Sequence, residues 1–335
     1  MKEVIILGAG ASKSVGAALQ GEIIEKFFKA NKNSVTIKFF ENFFGIDNFN
    51  IDRKPYPTLE EILGLMEINN ALTDNKDFPN IIDSRVNELE IMSMICTVLK
   101  ETIEGPAFSY NKNHPHEILI KRLMREGKIQ DTSFISLNYD MILEYRIFKT
   151  SRFGIDYGID TFYFNDNTKE KIKVYKPHGS LNWGYCETCG KIKIFFYKAL
   201  YDLISGINCP ECKKKLVPFI ISPTYFKYFS DSFYKNLLKK VKDLLENTEV
   251  IYFCGYSFPD ADLDLKYVLK QIEIEDPIPE IYICNGRYKK VKDPEFERFL
   301  RFFKNKDRIH YLSQSFQSFA RNGIDLSKEC KYESK

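Results

Sequence analysis

The sequence predicts a doubly wound, mostly parallel α/β sheet that carries a helical insertion and a small ribbon bearing four cysteines. Three observations carry this expectation. Short apolar runs recur along the chain, glycine-rich or polar loops end them, and segments of helical period separate them. Parallel strands bury both faces, so they read as continuous apolar runs rather than as alternation.

Val4 to Leu7 is the first such run, with "GAGAS" at 8–12 as its exit turn and a helix expected from about Ala17 to Phe28. From Thr58 to about Glu104 the period is helical. Leu59, Ile62, Leu63 and Met66 share one face, and Val86, Leu89, Met92, Ile95, Cys96 and Leu99 share another. "TDNKDFPN" between them reads as a loop, and the pair as an insertion over the sheet edge. A helix is expected over Ile118 to Met124, then a core strand ending in a polar loop in "TSFISLNYD", then a helix bearing Ile142, Leu143 and Ile147. "EKIKVYKPHGSLNW" gives another strand and polar loop, "VPFIISPT" is strand-like, and Phe233 to Leu245 is helical. "EVIYFCGYSFPDAD" repeats the strand, glycine and polar-loop pattern before the helix "LDLKYVLKQI", and "PEIYICN" and "IHYLS" are the last strands. The expected division is a sheet domain over 1–56, 106–184 and 218–325, a helical insertion over 57–105, a ribbon over 185–217 and a tail over 326–335. The aromatic-rich "KNSVTIKFFENFFG" and the segment after Ile309 read equally as core or as assembly surface.

At 335 residues the chain is long enough for a full core, and 44% hydrophobic with 28% charged residues is ordinary for a globular protein. The 49 basic residues against 46 acidic ones leave a net charge of only +3. Nucleic acid is therefore not a predicted partner, since backbone recognition needs a concentrated basic field. Lys213 to Lys215 and Lys289–Lys290 read as solvated surface. The apolar start is too short for a signal peptide, and no run reaches the eighteen or so apolar residues of a membrane helix. No membrane association is expected, and the expected location is cytoplasmic.

Four of the eight cysteines form two C-x-x-C pairs, Cys186 with Cys189 and Cys209 with Cys212. Two short chelating turns let four thiolates surround one Zn2+ tetrahedrally, with "CETCGK" and "CPECKK" as the knuckles. Four thiolates complete the shell and leave no place for a catalytic water, so the metal is expected to be structural. Cys96, Cys254 and Cys284 lie in apolar runs and read as core, and Cys330 as tail.

Ligands of doubly wound sheets lie beyond the carboxyl ends of the strands. Gly8, Gly10 and Ser12 suit a phosphate or a tight structural turn. The G-x-G-x-x-G pattern is broken, because Lys13 occupies its third position and no acid ends a second strand at the usual distance. Asn138 and Asp140 share one side of a strand end, where Asp140 also suits a helix cap. His178, beside Gly179, is a candidate base near neutral pH or a structural histidine. His114 and His116 flank Pro115 before a helix and read as capping or surface groups, and His310 as structural. Gly255 and Ser257 suit a phosphate or ribose, Asp260 or Asp262 the next helix cap first and a ligand second, and Asn285 ribose or adenine.

Taken in order, "GAGAS", "SLNYD", "HGSLNW", the two cysteine pairs, "CGYSFPDAD" and "ICN" resemble the sirtuin family, in particular its divergent prokaryotic sirtuin-like branch. The resemblance implies a Rossmann-like NAD+-binding domain and cleavage of NAD+ between nicotinamide and ribose. It implies phosphate-side contacts from Gly8, Ala9, Gly10 and Ser12, and a nicotinamide-ribose motif at Asn138 and Asp140. It also implies that His178 is the catalytic histidine, that Gly255 and Ser257 form the second phosphate-side turn, and that Asn285 contacts adenosine.

The departures bear on the acceptor. Where deacylating sirtuins carry Gly-Ile-Pro and a Phe-Arg pair, this chain has "VGAALQGEII", and their Thr-Gln-Asn-Ile-Asp becomes Ser136 to Asp140. Their peptide-holding Phe-Gly-Glu stretch has only "FIISPTYF" as its counterpart. Water is the simpler acceptor, which makes NAD+ glycohydrolase the favoured function. An NAD-dependent lysine deacylase or ADP-ribosyltransferase is the alternative, and a non-catalytic, zinc-stabilised nucleotide sensor or scaffold is a third. The resemblance further implies an antiviral defence effector working as a homo-oligomer or with an activating partner protein.

Overall fold

The computed structural model describes residues 2–30, 35–46, 56–72, 77, 82, 88–102, 113–159, 161, 170–195, 206–221, 232–275, 278–286 and 294–330. The strands are β1 (Glu3–Leu7), β2 (Thr132–Ser136), β3 (Gly154–Asp156), β4 (Lys171–Tyr175), β5 (Gly179–Cys186), β6 (Lys191–Ile194), β7 (Val217–Ile220), β8 (Val250–Cys254), β9 (Glu280–Cys284) and β10 (Ile309–Leu312). The helices are α1 (Ala9–Lys13), α2 (Gln20–Ala30), α3 (Val35–Phe44), α4 (Leu59–Leu72), α5 (Glu88–Thr102), α6 (Pro115–Arg125), α7 (Ile142–Thr150), α8 (Ser232–Glu246), α9 (Leu263–Ile274), α10 (Pro294–Phe302) and α11 (Phe316–Asn322).

Seven strands form one sheet in the order β10-β9-β8-β1-β2-β4-β3, and every pairing in it is parallel. β1 is buried along its whole length and pairs with β2 on one side and β8 on the other. Its side chains divide between two cores. Val4 and Ile6 meet α8, α9 and α10, whereas Ile5 and Leu7 meet α6, α7 and α11. Both faces of the sheet are thus covered, which explains why "VIIL" reads as an unbroken apolar run. The strand order reverses at β1, where a doubly wound sheet opens its cleft. The chain is therefore a Rossmann-like α/β fold, as its sequence predicts.

A second, antiparallel sheet has the order β6-β5-β7. Here the sequence reading needs correction. "GSLNW" is not a polar loop but most of β5, and Ser180, Asn182 and Trp183 are buried. Trp183 packs with Tyr157, Ile192, Phe233 and Leu237, so a core against α8 outweighs the polar character of its neighbours.

Helices α2 to α5 share their own core, which includes Ile24, Phe28, Phe40, Leu63 and Ile95 and is joined by Leu181 of β5. Phe39 and Phe40 of the aromatic-rich segment lie in that core. The first long helix begins at Gln20 rather than Ala17, because the "GAGAS" turn continues into the short α1. Near the carboxyl end, Cys330 N donates to Tyr311 O, so the start of the tail docks beside β10. "TDNKDFPN", apart from Asp77, and Val86 lie outside the described residues. Among the described residues no helix is long and apolar enough to cross a membrane.

Candidate active site

The carboxyl ends of β1, β2, β8 and β9 and the β4–β5 turn surround a cavity of about 330 Å³. Gly8, Ala9, Gly10, Ser12, Asn138, Asp140, His178, Gly255, Ser257 and Asn285 all line it, drawn together from separate parts of the chain. Ile23, Leu59 and Leu99 of α2, α4 and α5 supply an apolar wall.

The two glycine turns interlock. Gly10 N donates to Gly255 O at 2.8 Å, and Gly8 N to Cys254 O at 3.0 Å. A Cβ on Gly8 would stand 2.6 Å from the Gly255 carbonyl oxygen, and one on Gly10 would stand 2.9 Å from the Gly255 Cα. Gly255 itself has φ +62°, a left-handed conformation that glycine adopts without strain. Only glycines allow these two strand ends to touch and leave backbone facing the cavity.

Asn138 bridges the β1 and β2 ends. Its Nδ2 donates to Gly8 O and to Ser12 Oγ, each at 2.9 Å. Asp140 Oδ1 accepts from Ile142 N at 3.0 Å, so this carboxylate holds the first turn of α7. Behind the loop lies an ion pair that the sequence did not reveal. Lys176, fully buried, donates to Glu144 Oε1 at 2.8 Å and to the Asp140 carbonyl. Burial raises the Glu144 carboxyl above its ordinary value against the pull of the Lys176 ammonium.

His178 is 6% exposed, and its Nδ1 lies 3.1 Å from Leu137 O. A carbonyl only accepts, so Nδ1 carries the proton of the neutral ring and Nε2 keeps its lone pair. Nε2 has no hydrogen-bond partner among the described residues and stands 3.6 Å from Asp262 Oδ1. Asp262 occupies the N-cap position of α9 but makes no side-chain cap bond, which corrects its reading as a cap. Its Oδ2 instead accepts from the Tyr256 hydroxyl at 2.6 Å. Burial and the adjacent Asp262 carboxylate push the Tyr256 phenol up, which keeps it a donor. Nε2 and one oxygen each of Asp262 and Asp264 lie within 4.8 Å of one another. Tyr256 and Tyr234 donate to the two carboxylates, so this cluster is a hydrogen-bonded network rather than a bare cation cage.

His114 and His116 are both buried rather than at the surface. His116 packs edge-on against Phe316, with ring centroids 4.8 Å apart, and burial drives its imidazole well below the ordinary value.

The four cysteines of the two pairs converge at the outer end of β5. Cys186 Sγ and Cys212 Sγ lie 3.4 Å apart, Cys189 Sγ and Cys209 Sγ 3.8 Å apart, and all four sulfurs lie within 4.8 Å of one another. Thiolates placed tetrahedrally about a zinc ion are separated by about 3.8 Å, so the arrangement fits one ion. Cys189 N donates to Cys186 Sγ at 3.4 Å, as an amide does in a metal knuckle.

No curated protein matches the chain. Solved structures similar to it include Sir2Tm bound to a propionylated peptide, at 16% identity over 96% of this chain and 90% of that chain, TM-score 0.44. Another is Sir2 bound to acetylated peptide, at 15% identity over 96% and 91%, TM-score 0.45. A third is a Sir2, p53 peptide and NAD+ complex, at 16% identity over 96% and 90%, TM-score 0.44. Residues 132–312, from the start of β2 to the end of β10, match the SIR2-like domain. That match covers more than half of the sequence and takes in Asn138, His178, Asp262 and both cysteine pairs: the chain belongs to the SIR2-like domain family.

Proposed function

We propose that the chain is an NAD+ glycohydrolase that breaks the nicotinamide–ribose bond and passes the ribose to water. The observation that carries the reading is the single cavity in which the Gly8–Ser12 turn, Asn138 and His178 meet. Nicotinamide in NAD+ is a pyridinium, so it leaves with the electrons of the C–N bond as a neutral amide and needs no general acid. The difficulty is the positive charge that grows on the ribose, which polar groups already in place stabilise.

The Gly8, Gly10 and Gly255 amides are committed to the Cys254, Gly255 and Cys284 carbonyls, so these turns give the pyrophosphate room to approach rather than donors. Ser12 Oγ, which accepts from Asn138, keeps its proton to donate. With both Nδ2 protons committed to Gly8 and Ser12, Asn138 offers its carbonyl oxygen to a ribose hydroxyl or to the attacking water. His178 Nε2 takes the proton of that water as the C–O bond forms, and the Asp262 carboxylate steadies the imidazolium. The products are nicotinamide, ADP-ribose and one proton.

We assign Zn2+ to Cys186, Cys189, Cys209 and Cys212, where it supplies folding energy to a ribbon with little core of its own. β5 runs from Gly179, next to His178, to Cys186, so this metal braces the strand that follows the catalytic loop. The resemblance to defence effectors extends the proposal. Unrestrained hydrolysis would empty a cell of NAD+, so activity is held off until self-assembly or a partner releases it.

Chromatography of NAD+ incubations tests the reading, with and without an acetylated peptide and over a range of protein concentrations. Nicotinamide and ADP-ribose in equal amounts without peptide support it, provided His178→Ala and Asn138→Ala each abolish them. Nicotinamide release that requires the peptide assigns the chain to the deacylases instead.

A further inference from the structure

We propose that His178, Asp262 and Asp264 form a second metal site, which takes a divalent transition ion of the zinc class and holds the NAD+ reaction off while the ion is bound. The inhibition rests on the reading of His178 as the base, whereas the ion site rests on geometry alone.

His178 Nε2 is buried without a hydrogen-bond partner among the described residues. It faces Asp262 Oδ1 at 3.6 Å, and one ligand atom from each of His178, Asp262 and Asp264 lies within 4.8 Å of the others. Ligands about 2.1 Å from a tetrahedral zinc ion stand about 3.4 Å apart, so small side-chain rotations close the three onto one ion. The three residues are 6%, 4% and 2% exposed, which sets them apart from a cluster of surface acids. Nε2 is also the nitrogen a metal needs. The proton of the neutral ring sits on Nδ1, against Leu137 O, and the lone pair stays on Nε2.

The carboxylates are oriented from behind. The Tyr256 hydroxyl donates to Asp262 Oδ2 at 2.6 Å, and the Tyr234 hydroxyl donates to Asp264 Oδ2. Outer bonds of this kind fix the direction of metal-binding carboxylates. A carboxylate has about four lone-pair directions, so hydrogen bonds and an ion can share it. Asp262 and Asp264 lie two residues apart at the start of α9, and like charges this close repel each other away from water. A dication between them offsets that repulsion. One imidazole with two carboxylates suits a zinc-class ion, whereas Mg2+ and Ca2+ favour sets made of oxygen alone.

Bound there, the ion opposes the reaction in two ways. It takes the Nε2 lone pair that receives the proton of the attacking water. It also adds positive charge beside the ribose, where positive charge grows as nicotinamide leaves. The four cysteines are a separate site, because β5 runs from Gly179, next to His178, out to Cys186. The mixed donors bind more weakly than four thiolates, so protein purified without added metal carries only the cysteine-bound ion.

Calorimetric titration with Zn2+ tests the site on protein that already holds one zinc per chain. Wild type is expected to take one further equivalent. Asp264→Asn keeps an acceptor for the Tyr234 hydroxyl and is expected to weaken that second binding by about 10-fold or more. Asp260→Asn, which removes an exposed acid of the same loop, should leave it unchanged. In NAD+ cleavage assays the same Zn2+ concentrations should silence wild type, and Asp264→Asn should need about 10-fold more. The absence of a further equivalent overturns the site, as does an Asp264→Asn variant that binds it as tightly as wild type. Should that variant melt early, His178→Gln decides by calorimetry, and undiminished binding overturns the site. Full cleavage with the second site saturated overturns the inhibition. A chain that binds the second ion but cleaves no NAD+ with or without it overturns the NAD+ reading and the inhibition together, and leaves the ion site standing.

Discussion

His178 Nε2 and Asp262 Oδ1 face each other at 3.6 Å across the floor of the cavity, both of them buried. The distance is too long for a direct hydrogen bond and short enough for a strong charge interaction once the ring is protonated. The Leu137 carbonyl engages the ring through Nδ1, which leaves Nε2 as the nitrogen that faces Asp262.

Replacing Asp262 by Asn keeps an acceptor for the Tyr256 hydroxyl but removes the charge. Steady-state kinetics should show kcat lower by about 10²-fold with KM changed less than about 3-fold. A change confined to KM would place Asp262 in substrate binding rather than beside the base.

Lys176 holds the loop through its buried bond to Glu144 and to the Asp140 carbonyl. Lys176→Met strands the Glu144 carboxylate in the interior and should cost about 3–5 kcal/mol in denaturant unfolding. Adding Glu144→Leu should recover most of that loss. A single variant as stable as wild type would mean that the ion pair does not hold the loop.

Metal analysis of the purified chain should find one Zn2+ per chain. Cys209→Ser should bind less metal and melt earlier, because metal affinity here is folding energy. Cys96→Ser, in the core of α2 to α5, should leave the zinc content unchanged. A metal-free chain with an undiminished melting temperature would remove the structural role given to zinc.

His310 lies between Glu329, at 2.7 Å from Nδ1, and Glu280, at 3.0 Å from Nε2. Burial disfavours its charge, but the two carboxylates outweigh it and hold the imidazole above the ordinary value of 6.5. The stabilisation is therefore complete below pH 6.5 and fades as pH rises through the raised value. Thermal unfolding should show the advantage of wild type over His310→Asn at pH 6 and not at about pH 8.5. A constant difference across that window would contradict the ion-pair account.

The parts of the fold that were legible in the sequence are those that a local pattern specifies. "VIIL" and "VIYFC" announce buried parallel strands, and the two C-x-x-C pairs announce their cluster, because neighbours in sequence carry the whole signal. β5 was not legible as far as Trp183. Its Ser180 and Asn182 bond to each other at 2.7 Å inside the small sheet, and polar residues paired that way look like loop residues in a sequence. The pairing of Asp262 with His178 was not legible for another reason. Asp262 lies 84 positions from His178. Their meeting depends on which strand ends become neighbours, and no local periodicity records that.

The most direct test of the central claim is nicotinamide release from NAD+ by wild type and His178→Ala at matched concentrations over a wide range. The account predicts nicotinamide and ADP-ribose in equal amounts from wild type and neither from His178→Ala. Equal release from both proteins, or NAD+ recovered intact from both, would contradict it.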